Sequence, residues 1–448
     1  MRQQYRKSEE ALSQIAKGAV NARRRLKCGK RGCGPRAKRL AGFLWAYRLA
    51  LAFFQFDYAF ERMPALDRDL LDKLTAWRRH LHAHPELGRH EKMTSAFVQE
   101  KLTELGVPFV ANVGGYGVVA TLRKGSSERT VGLRADMDAL PIQEVNDLPY
   151  KSKTPNVMHA CGHDGHTTSL LGAAALLKAD DGWSGTVQFV FQPAEEGTGG
   201  ALAMLEDGVL ERFPMERVFA LHNWPGLEAG TVAVHRGPVM SEPGRFKITL
   251  TGKAGHAALP EQSHDPIVAM GHLIVALQTI VSRNVDPMES AVVSIGQVHG
   301  GLASNQIPTH VFIEGTFRTF VPAVRDRLLA RLKGIAENIA ATFEMTAAVE
   351  YNYGVATINT PAEEDMAAAG GEAAGLPVRR DMKASTTGED FAYFLEKRPG
   401  CYIWMGNGPA VNGGALHNDR YDFNDAILPA ASGWLAAVAK QALASNAP

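Results

Sequence analysis

The chain has 448 residues, with 48 Lys and Arg against 47 Asp and Glu, 45% hydrophobic residues, 44 Gly, 23 Pro and four Cys. This length and apolar content predict two or three domains with cores of their own. The composition excludes a disulfide scaffold, a collagen and a wholly disordered protein. Because Cys28 and Cys33 lie in a basic N-terminal arm, and Cys161 and Cys401 are far apart in the rest of the chain, we expect a reducing, cytoplasmic location.

Residues 1–62 differ in charge from the rest of the chain. They hold 15 Lys and Arg against 4 Asp and Glu, net +11, whereas the remainder carries −10. Since the basic stretch 21–40 lacks periodic apolar positions, we expect residues 1–62 to be a disordered extension. Arg48 and Asp57 interrupt the apolar stretch 41–60, so no membrane span is expected there. Met63 opens a sequence that resembles a natural start, and whether residues 1–62 belong to the native protein stays open.

From residue 66 the pattern becomes regular. Apolar periodicity predicts helices over 67–82 and 91–105, and then short β-rich runs that alternate with helical stretches. This alternation predicts a three-layer α/β domain on a largely parallel sheet, with its first part at 66–241. The runs 130–134, 186–191 and 217–221 are each followed closely by ionisable residues, at the strand ends where open α/β sheets place their ligand crevice.

The rhythm changes between residues 242 and 352. The predicted elements there are a strand, a helix, two strands, a helix and a strand, at 245–251, 265–282, 289–298, 309–320, 322–343 and 347–351. This β-α-β-β-α-β order is that of a ferredoxin-like unit. We therefore predict a separate domain at 242–352, inserted into the α/β domain, which resumes over 353–446.

The densest group of candidate ligands is Met158-His-Ala-Cys-Gly-His-Asp-Gly-His166, before a helix predicted from Thr168. Cys161 and His163 suit one metal ion or two neighbouring ions, and the glycine between them permits a tight turn. Helix capping by Asp164 or Thr167 accounts for one residue of the group but not for the set. The group therefore predicts a metal site.

Two adjacent carboxylates, Glu195 and Glu196, follow the apolar run 187–191. In a purely structural role they would form a solvated turn. In extended backbone, neighbouring side chains point to opposite sides, so one can bind a cation while the other faces substrate or water. This division is typical of a metallohydrolase. His222 and His417 are further candidates, although a lone histidine is more often structural than a ligand.

Residues 66–444 resemble the M20 metallopeptidase and amidohydrolase family, in its branch of N-acyl-amino-acid amidohydrolases, which includes hippurate hydrolase-like and auxin-conjugate hydrolase-like enzymes. The resemblance rests on ordered motifs at 77–88 (WRRHLHAHPELG), 134–141 (RADMDALP), 158–166 (MHACGHDGH), 191–197 (FQPAEEG), 255–260 (GHAALP), 304–308 (SNQIP) and 387–391 (TGEDF). It implies a zinc-peptidase-like catalytic domain with an inserted ferredoxin-like α+β lid and dimerisation domain.

The resemblance also implies an activity and its residues. The activity is metal-dependent hydrolysis of N-acyl amino acids, hippurate-like or N-acyl-L-amino acids, to a carboxylic acid and a free amino acid. Glu195 is then the general base that deprotonates metal-bound water, and Asp138 orients a ligand. Two divalent ions would be held by Cys161, His163, Glu196, His222 and His417. Because thiolate is a soft ligand, manganese or zinc is favoured over magnesium.

The motifs imply supporting residues as well. Asp136 stands where other members have a histidine ligand, and we leave it out of the ligand set. His159 and His166 are expected to support the site by hydrogen bonds. The histidines of the first motif and its surroundings, His80, His82, His84 and His90, are expected to be structural, and Cys401 is expected to lie in the core.

Three residues of the inserted domain gain a role only through the resemblance. His256 would stabilise the oxyanion, in the active site of a partner subunit, and Asn305 would help at the same oxygen. Arg318 would clamp the substrate carboxylate. Without the resemblance, they read as a turn histidine, a pre-proline asparagine and an edge-strand arginine. A homodimer or homotetramer through the lid is expected.

Three alternatives stay open. The nearest is a dipeptidase or aminopeptidase of the same family, which needs a partner for a free ammonium group; no acidic cluster beyond the metal set is evident. A nucleic-acid or membrane protein that acts through the basic arm would bind in a salt-dependent way, and we expect neither partner. The third is an inactive binding protein, against which the complete ligand set argues. The acyl group, the preferred amino acid, the metal and the oligomeric state are left open.

Overall fold

The computed structural model describes residues 68–410 and 414–445. The predictions for residues 1–62, including the apolar stretch 41–60 and the cysteines Cys28 and Cys33, lie outside the described residues.

Helices and strands alternate through most of the described chain. The helices are α1 Arg68–Ala83, α2 Lys92–Glu104, α3 His163–Ala179, α4 Gly200–Glu206, α5 Val209–Arg212, α6 Pro266–Leu277, α7 Thr279–Asn284, α8 Pro322–Thr342, α9 Pro361–Ala373, α10 Ala392–Lys397 and α11 Leu428–Ala444. The strands are β1 Phe109–Val113, β2 Gly117–Lys124, β3 Thr130–Asp136, β4 Gly185–Gln192, β5 Arg217–Pro225, β6 Val232–Val234, β7 Pro238–Met240, β8 Glu242–Thr251, β9 Gly255–His256, β10 Ala291–Gly300, β11 Gln306–Ile307, β12 His310–Thr319, β13 Thr346–Tyr353, β14 Thr357–Ile358, β15 Val378–Arg379 and β16 Gly400–Gly408.

The larger sheet has eight strands in the order β1-β2-β4-β3-β5-β16-β6-β15. Its four central strands, β4, β3, β5 and β16, are mutually parallel. The flanking pairs β1/β2, β2/β4 and β16/β6 are antiparallel. At one margin β15 pairs with β6 in parallel. Four of the seven neighbouring pairs are therefore parallel, and the sheet is mixed with a parallel centre. Every residue of β4 is buried, as expected for a central strand covered on both faces.

Helices cover both faces of this sheet. One face packs on α3 and α11, with Leu171 and Trp434 in its apolar cluster. The other face packs on α4, α5 and α10, with Met204 and Phe394. The predicted three-layer α/β class is confirmed.

Helix α3 begins at His163, five residues before the predicted start at Thr168. Gly162 precedes it with φ +91, a left-handed conformation that favours glycine. A Cβ at Gly162 would lie 2.3 Å from Asn223 Nδ2 and 2.4 Å from Tyr421 Oη. The prediction was wrong because a first turn of His, Asp and Gly carries no apolar periodicity. His163 therefore projects from a helix rather than from a loop.

The smaller sheet, order β10-β12-β8-β13, is antiparallel throughout. Its order is that of a ferredoxin-like unit, and α6, α7 and α8 pack on one face around Phe246, Ile248 and Leu332. The single helix predicted at 265–282 is wrong, because Gln278 separates α6 from α7. Asp265 caps α6, accepting a hydrogen bond from Ile267 N (2.9 Å). The proposed domain boundaries at 242 and 352 stay predictions.

The segment Asp425–Ala444 is the one described helix that is long and apolar enough to cross a membrane. It is 72% buried inside the protein, which is typical of a core helix.

Candidate metal centre

The predicted ligands converge at the carboxyl edge of the central parallel strands. Asp138 lies just beyond β3, Glu196 lies beyond β4, and His222 lies within β5. His163 opens α3 beside them. Parallel strands place their carboxyl ends at one edge, which is why residues distant in sequence meet here.

Cys161 is common to two groups of candidate ligands. Its Sγ lies 3.3 Å from His222 Nε2. Ligand atoms of Cys161, His163 and His222 lie within 4.8 Å of one another, and so do those of Cys161, Glu196 and His417. A thiolate shared by two such groups could serve as a ligand in either of two neighbouring metal sites. All five predicted ligands are therefore brought together.

Hydrogen bonds orient the two buried histidine ligands. His222 Nδ1 donates to the backbone oxygen of Asn223 (2.6 Å), which turns Nε2 toward Cys161. His163 Nδ1 donates to Asp138 Oδ1 (3.2 Å). His163 Nε2 is buried and has no hydrogen-bond partner in the described part of the chain. Since Nδ1 carries the proton, Nε2 has a free lone pair, which is what binds a metal ion. The donor set thus fits a metal ion.

Asp138 supports two ligands at once. While Oδ1 accepts from His163, Oδ2 accepts from the backbone N–H of Glu196 (2.9 Å). Asp138 is 1% exposed, so water does not compete for these bonds. This arrangement agrees with the predicted orienting role.

Glu196 and His417 complete the centre on its open side. Glu196 Oε1 lies 3.3 Å from His417 Nε2 and 3.9 Å from His163 Nε2. The His417 side chain is 53% exposed, so this is the side open to solvent. His417 has φ +60, and its N–H donates to Ala160 O (2.8 Å), next to Cys161. Ala194, before the two glutamates, has φ +61; such backbone strain is typical of functional sites.

His166 is a supporting residue, as predicted. Its Nδ1 donates to Asp136 Oδ1 (2.7 Å), and its Nε2 accepts from the backbone N–H of Asn223 (2.9 Å). Both ring nitrogens are thus used, and none is left for a metal. The prediction is wrong for His159, whose two buried ring nitrogens make no hydrogen bond to any described residue. Burial lowers the pKa of His159 to about 4 and keeps it neutral.

Acidic groups outnumber basic ones in the centre. Burial, followed by the charges of Glu196 and Glu195, raises the pKa of the Cys161 thiol. Burial, followed by the charge of Glu389, raises the pKa of Glu195. A bound cation stabilises the charged forms of acids crowded in this way and so opposes the rise in their pKa values. The excess of acidic groups and the chemistry of the donor atoms therefore both indicate a cation site.

An aromatic pair adjoins the histidine ligands. The indole of Trp224 stacks on Trp404 with ring centroids 3.6 Å apart, and it lies 6.3 Å from the ring of His222.

The histidine-rich helix α1 has a structural role. Buried Arg78 donates to Asp422 Oδ1 and to Phe423 O, which ties α1 to the segment that follows His417. Buried His82 contacts Asp164 Oδ2 at 2.8 Å and Glu144 Oε1 at 3.4 Å. No candidate metal group among the described residues includes the four histidines His80, His82, His84 and His90. Cys401 is fully buried in β16, as predicted.

The predicted lid residues lie on the smaller domain. His256 in β9 pairs with Gln306 in β11, and Ala257 N donates to Asn305 O (3.1 Å), so His256 and Asn305 are neighbours. Both are exposed. Arg318 is half-buried, and its Nη1 donates to the backbone oxygens of Gly244 and Phe317. Within the described ranges, no hydrogen bond or ion pair joins these three residues to the metal ligands.

A parallel-centred α/β sheet that presents a thiol, imidazoles and carboxylates at its carboxyl edge is the arrangement of a metallohydrolase. A family model for peptidase family M20/M25/M40 matches residues 132–441. The chain belongs to this family. The sequence is 42% identical over 388 residues to N-acetyl-L-cysteine deacetylase of Bacillus subtilis, covering 86% of this chain and 92% of that protein.

Two further comparisons agree. Hippurate hydrolase of Campylobacter jejuni is 41% identical over 375 residues, covering 83% of this chain and 97% of that protein. The crystal structure of the Bacillus subtilis YXEP protein, described as a dinuclear metal binding peptidase from the M20 family, matches with a TM-score of 0.74 at 35% identity, covering 83% of this chain and 98% of that one. The predicted family and its amidohydrolase branch are confirmed.

Proposed function

We propose that this protein hydrolyses the amide bond of N-acyl amino acids to a carboxylic acid and a free amino acid. The observation that carries the proposal is the convergence of Cys161, His163, Glu196, His222 and His417 beside a second carboxylate, Glu195. Relatives named as a deacetylase and a hippurate hydrolase support the substrate class.

The five ligands would hold two divalent ions, manganese or zinc, because thiolate and imidazole suit these metals. When bound, the ions supply Lewis acidity toward the scissile carbonyl and the attacking water. The chain itself contributes the orientation of each ligand. His163 and His222 are fixed by hydrogen bonds at Nδ1, and Asp138 fixes the backbone of Glu196.

Glu195 is the proposed general base. One of its carboxylate oxygens lies within 4.8 Å of a ligand atom of His163 and of Glu196. Glu195 accepts a proton from the attacking water and returns it to the leaving amine. Its Oε1 accepts a hydrogen bond from Asp390 N (3.4 Å), and we assign the other oxygen to the attacking water.

The lid residues complete the proposal. His256 and Asn305 would stabilise the oxyanion, and Arg318 would bind the substrate carboxylate. The proposed homodimer or homotetramer forms through the smaller domain. In support, β10 is an edge strand, and the domain exposes Val275 (71%), Val298 (53%) and Met288 (92%); exposed edges and apolar patches favour association. A cytoplasmic location remains part of this proposal.

The test is release of free amino acid from N-benzoyl, N-acetyl and free-amine dipeptide substrates, with manganese, zinc or chelator. Glu195→Gln is expected to keep its metal content while kcat falls by about 10²-fold or more, as loss of a general base costs. Activity only on the free-amine dipeptides would replace the proposal with a peptidase. Full turnover in the variant would remove Glu195 from the mechanism.

A further inference from the structure

Arg134 in β3 is a buried cation that contacts four polar side chains. It is 2% exposed. Its Nε donates to Gln192 Oε1 (2.8 Å), Nη1 donates to Asp136 Oδ2 (2.7 Å), and Nη2 donates to Asp390 Oδ1 (2.9 Å). Nη2 also lies 3.0 Å from Glu389 Oε1. One guanidinium thus joins the ends of two central strands to the segment 387–391.

The contacts on one side of Arg134 build a rigid turn. Asp390 also accepts from Gln192 Nε2 (2.7 Å) and from Ala201 N (2.9 Å). Glu389 accepts from the Tyr402 hydroxyl and from Phe391 N (2.9 Å). Both carboxylates are therefore saturated with donors. Their oxygens are occupied, so this acidic pair serves as a structural turn rather than as a third metal site.

That turn is what contacts the proposed base. The backbone N–H of Asp390 makes the only hydrogen bond that the Glu195 carboxylate receives in the described residues. Carboxylate oxygens of Glu195, Glu389 and Asp390 lie within 4.8 Å of one another, and like charges at that distance repel. Arg134 contacts two of the three and offsets the repulsion.

On its other side, Arg134 is anchored on Asp136, which is itself held by buried hydrogen bonds. Asp136 accepts from Arg134 at Oδ2 and from His166 at Oδ1, and its backbone oxygen accepts from Thr167 Oγ1 (2.7 Å). These groups are all buried. Displacement of the guanidinium would break bonds that water cannot replace.

We propose that Arg134 is a positioning residue: anchored on Asp136, it fixes the Glu389-Asp390 turn so that the Asp390 N–H sets the orientation of the Glu195 carboxylate. The inference rests on the proposed role of Glu195 as general base. Arginine is required because a planar fork reaches several oxygens at once, whereas lysine offers a single point charge.

The test is a double-mutant cycle between Arg134 and Glu195, with kcat, KM, metal content and thermal unfolding measured for each protein. Arg134→Met is expected to lower kcat by about 10-fold to 10²-fold with little change in KM, as misplacement of a catalytic group does. In the Glu195→Gln background, the same substitution should change residual kcat by less than about twofold, because a group that no longer accepts a proton gains nothing from orientation. Arg134→Lys should recover part of the loss.

Two variants guard against a general folding defect. Asp390→Asn keeps the shape of the turn and the Arg134–Asp136 bond, so it should retain metal while showing a smaller fall in kcat and the same non-additivity. Arg217→Met is the matched control, because buried Arg217 pairs with Glu363 (2.8 Å) at the opposite end of β5. It should lower the unfolding temperature but leave kcat within about twofold.

The outcomes separate the inference from the function. Wild-type turnover in Glu195→Gln would overturn the proposed base. If that variant is impaired but Arg134→Met keeps its kcat, or the two effects multiply, only the positioning role is overturned. A fall in kcat that tracks lost metal in Asp390→Asn would also overturn it.

Discussion

The polar side chains at the metal edge of the large sheet and those of the smaller domain differ in their hydrogen bonding. At the metal edge, buried groups such as Asp136, Asp138 and His166 are cross-linked by hydrogen bonds between distant segments. In the smaller domain, the hydrogen bonds of Arg318 to described residues go to backbone oxygens, and His256 is exposed. The first region is organised by contacts within the chain, whereas the second holds the proposed lid residues, which make no hydrogen bond to the metal ligands within the described residues.

Loss of the shared thiol is expected to have the largest effect. Cys161→Ser should lower metal content and kcat by about 10²-fold or more, because both candidate groups lose a common soft ligand. Cys401→Ser is the matched control, since Cys401 is also buried but belongs to no candidate ligand group among the described residues. Metal analysis and turnover measure both variants. Full metal occupancy in Cys161→Ser would show that the edge is organised without the thiol.

His256 tests whether the smaller domain acts on a partner. His256→Ala should lower kcat by about 10²-fold, the cost of one oxyanion donor, with metal content unchanged. Mixing this variant with Glu195→Gln should restore activity if His256 acts across subunits, since the hybrid contains one site with both residues intact. No restoration in a verified hybrid would place His256 in the active site of its own chain.

Arg318 should affect substrate binding more than turnover. Arg318→Met should raise KM about 10-fold, and Arg318→Lys should recover little, because a planar fork binds a carboxylate through two bonds. Steady-state kinetics with an N-acyl amino acid and its amide, which lacks the carboxylate, measure the effect. Equal losses on both substrates would contradict the clamp.

Substitution of His82 should have the smallest effect of the four, and the effect should be on the free energy of unfolding. Burial opposes its charge, but hydrogen bonds to Asp164 and Glu144 outweigh burial and raise the pKa of His82 to about 9 from an ordinary 6.5. The resulting stabilisation is complete below pH 6.5 and is lost as pH rises through about 9; at about 1.4 kcal/mol per pKa unit it reaches about 3 kcal/mol. His82→Gln should therefore lower the unfolding temperature at pH 6 more than at pH 9.5, relative to His84→Gln. An equal loss at both pH values would exclude a charged His82.

The three-layer α/β class and the ferredoxin-like order of the smaller sheet were predictable because they follow local patterns, whereas the strand order of the large sheet was not. The complete ligand set came only with the family resemblance. Cys161 and His163 are close in sequence, and strand ends direct Glu196 and His222 to one edge. The role of Arg134 was not predictable, since its partner Asp390 is 256 residues away. Asn223, which fixes His166, gave no local signal either. Short strands at the sheet margins, such as β6 and β15, offer too few residues for their direction to be inferred.

The stacked indoles of Trp224 and Trp404 give the molecule an optical reporter. Their rings are parallel and 3.6 Å apart, so their electronic transitions couple and their absorption and fluorescence should differ from those of two isolated indoles. Trp224 adjoins His222 and belongs to β5, while Trp404 belongs to β16. The contact between these two strands can therefore be followed spectroscopically, without substrate and without a label, as metal ions bind at the adjoining edge.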